Sequence, residues 1–548
     1  MAMRRIFAVV LAAVIGALLV VFWRQTQVSI AANQIAPSNA IFYIEVPHLV
    51  QTAKNLPNTA IYQIFQEPSV RRFLRQPASA VWKEHWSSWN SFSKLGCTTL
   101  FFCATDPNCE HWIAGFQSSA NSTARIKEIQ NISKTLFARD ALYITFERQN
   151  TPDIAKEAGG ICFTDFGGWT VLSRDADLLR ETLQNARSDD HRLHSSKLFQ
   201  VCHSNLRPGY DLLLFARGSP SLNPADGLGW EYGADQTAGD SQALIASTTI
   251  EGSRLRDTVF TWTGNSENTG ALSLEGFAAT SANTIGYLVS RLKLSGFWRL
   301  SDKFSRDWPF AATLRDYIGE ARSFGIEPQD LDRLVSGIEI VVDRDPGSGS
   351  LVTTALLDVA DRTKFQQVID RIVREKLPDS CRPATIAETS AYIASPNENA
   401  SIVFGLVGEK LVVTWDQSIF AEIVRRLRTK DPGLEQSNQF KEMERLVATP
   451  SDLFLYIDAR AGFEGFYDAS RPMLIFGAAL IPSLNRYVDA MALPETDAIA
   501  KHLSPIVLSR HHVANGFIDE SVGPLTAYEA SAFAIGGATA VGLLHQNN

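Results

Sequence analysis

The sequence has no surplus of positive charge: 51 Lys and Arg stand against 59 Asp and Glu, a net charge of −8, with the two signs interspersed. A nucleic-acid surface needs concentrated cations to displace counterions, so nucleic acid is not an expected partner. Cofactor and catalytic fingerprints are also missing. There is no Walker loop, no Rossmann glycine pattern, no H-E-x-x-H, no EF-hand loop and no G-x-S-x-G elbow. DPGSGS at Asp345 is glycine-rich but lacks the lysine and the following helix that phosphate binding uses. No cofactor is implied, and the enzyme reading is weakened without being excluded.

Cysteine is scarce, six in 548 residues: Cys97, Cys103, Cys109, Cys162, Cys202 and Cys381. That excludes a disulfide-framed mini-domain. Cys103 and Cys109 flank the Asp106-Pro107 turn, so a cross-hairpin bridge is the one pairing the spacing suggests. Histidine is equally sparse. The best metal-ligand spacing is His191, His194, Cys202 and His203, a set zinc would accept. A polar loop running into a helix is the competing reading, and the stronger one. His511 and His512 are adjacent; on a strand they face opposite ways and serve structure rather than one shared ligand.

What is present is a long apolar run at the start. From Ile6 to Trp23 no residue is charged. Eighteen residues at about 1.5 Å rise reach roughly 27 Å, close to a bilayer core. Arg4 and Arg5 precede it and Arg24 follows, which sets the N-terminus in the cytoplasm and the bulk outside. A cleaved signal peptide is the rival, with small residues at Ser29 and Ala31. The uncleaved anchor is preferred because the run exceeds the usual signal-peptide length of about 7–15 residues. A second apolar stretch, Ala532 to Leu544, is too short to span comfortably and reads as a buried C-terminal segment or a weak membrane contact. The sequons at Asn121, Asn131 and Asn399 matter only in a host that glycosylates secreted chains.

The chain also repeats itself. GGWTVLSRDADLLRETL from Gly167 matches GEKLVVTWDQSIFAEIV from Gly408, with Asp175 and Asp416 standing 241 residues apart. At that spacing Leu193 falls on Leu434, Ser196 on Ser437, Phe199 on Phe440, and DLLLF at Asp211 on DLFLY at Asp452. The period is far too long for a solenoid. The expected organisation is therefore a cytoplasmic stub (1–5), a transmembrane anchor (6–23), a linker (24–35) and two homologous domains (36–282 and 283–548). Apolar strands joined by hairpins and interleaved with helical spacing predict an α+β fold in each: a mainly antiparallel sheet with helices on one face. The copies diverge after DLLLF and DLFLY. In the second, Met473, Leu474, Ile475, Phe476, Leu480 and Ile481 form an almost unbroken apolar segment, read as a buried helix or as a surface that docks a partner.

Two stretches carry a resemblance: APSNAIFYIEVPHLVQTAKNLPNTAIYQIF, with the paired Arg71-Arg72 after it, and LPETDAIAKHLSPIVLSRHH from Leu493, with His502-Leu503-Ser504-Pro505 ahead of Gly523-Pro524. They resemble an uncharacterised family of bacterial envelope proteins, in which a membrane segment precedes a duplicated α+β region. The resemblance implies location and architecture and carries no catalytic residue. The expected function is a bitopic protein of the bacterial inner membrane, its bulk in the periplasm or cell exterior. It would act as a non-catalytic binding or assembly protein for another envelope protein, a polymer or a lipidic ligand. Two alternatives stand beside it: an extracytoplasmic hydrolase with an unrecognised site, and an accessory subunit of an envelope transport or secretion complex.

Overall fold

The computed structural model describes residues 30–74, 95–137, 139–144, 160–188, 191–223, 227–231, 243–264, 272, 275–291, 333–345, 349, 351–376, 381–397, 400–480 and 489–527. The expected anchor from Ile6 to Trp23 and the apolar stretch from Ala532 to Leu544 lie outside them. No helix among the described residues is long and apolar enough to cross a membrane.

The fold is α+β and mainly antiparallel. Two compact units are formed, residues 1–51, 83–204 and 211–217 in the first and residues 52–82, 205–210 and 218–548 in the second. The cut expected between residues 282 and 283 is a division by sequence similarity; this one is a division by contact.

In the first unit the strands are β1 (Phe42–Val46), β2 (Cys97–Ala104), β3 (Trp112–Ser118), β4 (Leu142–Tyr143), β5 (Cys162–Phe166), β6 (Trp169–Ser173) and β7 (Leu212–Arg217). They pair in the order β7-β1-β2-β3-β6-β5-β4, antiparallel except for the short β4–β5 pair. Helix Ser122–Phe137 packs Ile129 and Ile132 against Phe116 and Phe163 of the sheet. The β5–β6 hairpin turns through Gly167 and Gly168, both at positive φ, where a side chain would strain the backbone. Asp175 then caps helix Ala176–Asn185, its carboxylate accepting from the amides of Asp177 and Leu178.

The second unit holds a separate hairpin, β8 (Ser219–Asn223) with β9 (Gly227–Glu231). Its sheet is built from β10 (Ala243–Glu251), β11 (Arg254–Trp262), β12 (Thr284–Ser290), β13 (Val335–Arg344), β14 (Leu351–Val359), β15 (Cys381–Ile386), β16 (Thr389–Asn397), β17 (Ala400–Val407), β18 (Lys410–Thr414), β19 (Leu453–Ile457), β20 (Ile506–Val513) and β21 (Gly516–Gly523). The order is β10-β11-β21-β20-β19-β12-β13-β14-β18-β17-β16-β15, antiparallel throughout. Within it the series β19-β12-β13-β14-β18-β17 has the same connectivity as β7-β1-β2-β3-β6-β5. Gly408 at positive φ turns the β17–β18 hairpin, and Asp416 caps helix Gln417–Thr429 as Asp175 caps its counterpart.

Two features depart from the sequence reading. Helical spacing over residues 61–75 predicts one helix. Two form, Ala60–Gln66 and Pro68–Phe73, because Pro68 has no amide hydrogen to continue the first and is well suited to open the second. The helices of the second unit also occupy both faces of the sheet rather than one. Val412 packs with Phe420, Ile423 and Val424 of helix Gln417–Thr429. Its neighbours Leu411 and Val413 pack with Phe365 and Ile369 of helix Arg362–Lys376. Adjacent residues of a strand face opposite ways, so KLVVT must bury both sides. Burying Phe420 completely contributes about 1.5–3 kcal/mol.

Candidate functional site

A pocket of about 900 Å³ opens in the second unit, where the last turn of helix Gln417–Thr429 overhangs β12, β13, β14 and β18. That volume is in the range of small-molecule sites. Val289, Val359 and Leu427 give it apolar walls, and a charged group lies at its floor.

The floor is assembled by register. Val289 pairs Glu339, Glu339 pairs Leu356, and Asp358 pairs Lys410, which brings Glu339, Asp358 and Lys410 onto one face. Lys410 Nζ lies 2.5 Å from Glu339 Oε1 and 2.6 Å from Asp358 Oδ1. Its side chain is 19% exposed, that of Glu339 only 2%. Burial alone would lower the Lys410 ammonium, but Glu339 and Asp358 more than offset it and hold it above its ordinary value. Burial raises Glu339, and Lys410 only partly opposes this. Lys410 is thus a committed cation, unsuited to act as a base or nucleophile. Glu339 Oε2 is buried and has no hydrogen-bond partner among the described residues, and neither has the Tyr287 hydroxyl, on the neighbouring strand β12.

Arg428, Lys430 and Glu409 form the exposed rim. Arg428 is fixed by the carbonyls of Ala387 and Glu388 and the hydroxyl of Thr389. Arg426, two residues earlier, ties the helix to Asp343 at 3.0 Å and to the Ala279 carbonyl.

The matching hairpin of the first unit is covered. Trp169 begins β6 as Lys410 begins β18; its indole is 2% exposed, meets the Phe101 ring edge-on and donates to the Ile30 carbonyl at 2.7 Å. Ile30 sits over Gly167 so closely that an added Cβ would come within 2.4 Å of its Cδ1. At Gly408 an added Cβ would meet nothing within 4 Å.

The sequence-predicted residues lie elsewhere. Cys202 is fully buried on helix Lys197–Ser204 and its thiol is pushed up to about 12 by burial. His203 stacks on Phe199, and burial, then His194, lowers its pKa. His191 and His194 are exposed, and among the described residues no three ligating side chains lie together. Cys103 and Cys109 are free thiols. Cys103 faces the core opposite Ile113, whereas Cys109 sits exposed in the turn, so the two are not placed across the hairpin from each other. Met473, Leu474, Ile475, Phe476 and Leu480 lie on helix Ala459–Leu480, and Ile481 falls outside the described residues.

One further contact joins residues distant in the sequence. His512 Nε2 lies 2.8 Å from Asp452 Oδ2, while the His512 amide donates to Ser451 Oγ and the Phe517 ring meets the imidazole edge-on. Asp452 and His512 are 60 residues apart, and only the β19–β20 pairing joins them.

No family model and no curated protein matches this chain. Among solved structures, crystal form I of TP0453 aligns over 73% of this chain and 99% of its own, at 9% identity and a TM-score of 0.17. A likeness at that score carries no argument.

Proposed function

We propose that this protein is a membrane-tethered, extracytoplasmic binding protein, built by tandem duplication, whose second copy holds a small-molecule pocket over Lys410. The observation that carries the reading is the difference between the two hairpins. By strand register the counterparts of Lys410, Glu339 and Asp358 are Trp169, Phe101 and Gln117, so the charged floor belongs to one copy alone. Polar groups confined to one copy are not needed for the fold. Keeping a buried ion pair there costs desolvation that a packed indole avoids. Tandem duplication is supported by the spacing itself: β6 and β18, helices Ala176–Asn185 and Gln417–Thr429, and β7 and β19 all start 241 residues apart.

Location outside the cytoplasm rests on the charge-free run from Ile6 to Trp23, on the arginines before it and on the resemblance to envelope proteins. The test is to purify the full chain in detergent from its own membranes and identify retained small molecules by mass spectrometry. Wild type carries one at near-stoichiometric level and Lys410→Met does not. Equal recovery from both, or none from either, overturns the pocket reading.

An assembly role is the second reading. Phe466, on the same helix as Met473 and Leu474, is 66% exposed, and Met491 nearby is 86% exposed. A protein partner crosslinked to this helix in membranes would favour it.

A further inference from the structure

We propose that the Lys410 pocket takes a small zwitterion, its primary ammonium beside Glu339 at the floor and its anionic group at the Arg428–Lys430 rim. This rests on reading the pocket as the ligand site.

Charge on the floor does not close. Two carboxylates, Glu339 and Asp358, share the one ammonium of Lys410. Asp358 is a third exposed and open to solvent, but Glu339 is 2% exposed and keeps a whole oxygen without a donor. A buried acceptor left unmade costs about 1–3 kcal/mol, and more when charged. The first unit resolves the same problem internally: Tyr43 donates to the buried Glu45 at 2.8 Å. In the second unit Tyr287 and Glu339 make no such bond, and Glu339 lines an open pocket instead. A ligand hydroxyl would satisfy the oxygen but leave the charge. A metal ion would need more ligands than are gathered here. A primary ammonium supplies both the donors and the missing positive charge.

At the rim the balance reverses. Arg428 and Lys430 stand against Glu409 and against Glu388, which lies 3.6 Å from Arg428, and Arg291, lining the same pocket, tips the balance positive. A ligand with only a cation would be repelled on entry, whereas a carboxylate or phosphate at its far end is matched. A peptide ending in lysine and a phosphoethanolamine group share this chemistry.

Protons should report the event. Burial raises Glu339, so in the empty pocket it holds a proton at pH values where a free carboxylate would not. An arriving ammonium displaces that proton. Affinity then rises with pH, by up to about tenfold per unit, and levels off above the folded pKa of Glu339. The other groups bearing on Glu339 are Tyr287 on β12, Asp358 on β14 and Lys410 on β18, with Arg291, Glu409, Arg428 and Lys430 lining the same pocket.

The experiment is a methyl-resolved NMR titration of the full chain in detergent micelles. Val289, Val359, Val407 and Leu427 serve as pocket reporters. The probes are 6-aminohexanoate, hexylamine, hexanoate and O-phosphoethanolamine. The zwitterions should shift the pocket methyls most strongly and hexanoate least. Glu339→Gln, which puts a neutral amide of the same size in place of the carboxylate, should weaken 6-aminohexanoate by at least about tenfold and abolish proton release. Arg428→Gln should weaken 6-aminohexanoate and, by removing a like charge from the rim, strengthen hexylamine slightly. If Glu339→Gln perturbs the fold, the wild-type order of probes and its pH dependence decide alone. Hexanoate shifting the same methyls as strongly as 6-aminohexanoate would overturn the zwitterion and leave the pocket reading intact. No pocket shift from any probe at millimolar concentration overturns the zwitterion as well, and the retained-molecule experiment then decides the pocket separately. 6-Aminohexanoate without O-phosphoethanolamine points to a peptide end; the converse points to a lipid headgroup or its free form.

Discussion

Lys410→Met removes the one cation beneath the pocket. Glu339, 2% exposed, then loses its hydrogen bond at 2.5 Å and its counter-charge together. Breaking a buried pair from one side costs about 3–5 kcal/mol. Lys410 is itself 19% exposed, which places the loss near the lower end, about 3 kcal/mol at pH 8. The loss should depend on pH, and its sign follows from Glu339. Its folded pKa is raised, so its contribution is fully present below the ordinary carboxylate pKa and is lost as pH rises through the folded value. Without Lys410 that value moves higher still, because Lys410 was the group lowering it. As pH falls a proton replaces the missing cation, and the deficit shrinks. Thermal unfolding of the full chain in detergent, followed by circular dichroism, should show the second unit's transition falling by roughly 3–5 °C at pH 8 and by less at pH 5. Adding Glu339→Gln to Lys410→Met should restore most of the loss. A deficit equal at both pH values, or absent at both, would show that Glu339 is not held as described.

Four other outcomes are expected. Asp416→Ala removes the acceptor for the amides of Ser418 and Ile419 and should cost about 1 kcal/mol, with Asp175→Ala costing a similar amount in the first unit; chemical denaturation reads both. Thiol labelling of the native chain should modify Cys109 first, being exposed, and spare Cys103 and Cys202 until unfolding, since both thiols are buried and raised to about 12. The same cysteine reports topology: a membrane-impermeant maleimide should reach Cys109 in intact spheroplasts, and labelling only after lysis would overturn the extracytoplasmic placement. Trp169→Phe deletes the donor to the Ile30 carbonyl and should destabilise that contact by about 1 kcal/mol, read as faster proteolysis near Ile30.

Local features of the fold were legible in the sequence where one residue decides them. Asp175 and Asp416 stand immediately before apolar residues at helical spacing, and both cap helices. Gly167 and Gly408 mark tight turns between apolar runs, and both adopt the left-handed backbone those turns need. The two-sided burial of SIVFGLV and KLVVT was also written there: a strand without alternating polar residues has no solvent face. Expecting helices on one face overlooked it.

The candidate site was far less legible. Lys410 stands 52 residues from Asp358 and 71 from Glu339, and nothing local links them. Strand register brings them together, and register is a property of the whole sheet. One signal was available, namely an acidic residue inside an otherwise apolar strand, as in GIEIVV at Glu339 and FYIEV at Glu45. Both carboxylates prove buried. By contrast, His191, His194, Cys202 and His203 were singled out by sequence proximity, yet Cys202 points into the core while His191 and His194 face solvent.

The space above Lys410 is the binding site proposed for this protein. The most direct test is an experimental structure of the full chain isolated from its own membranes. A bound molecule in contact with Glu339, the Gly408 turn open beside it, is the predicted result. A chain in which its own side chains fill that space, as Ile30 fills it over Gly167, would contradict it.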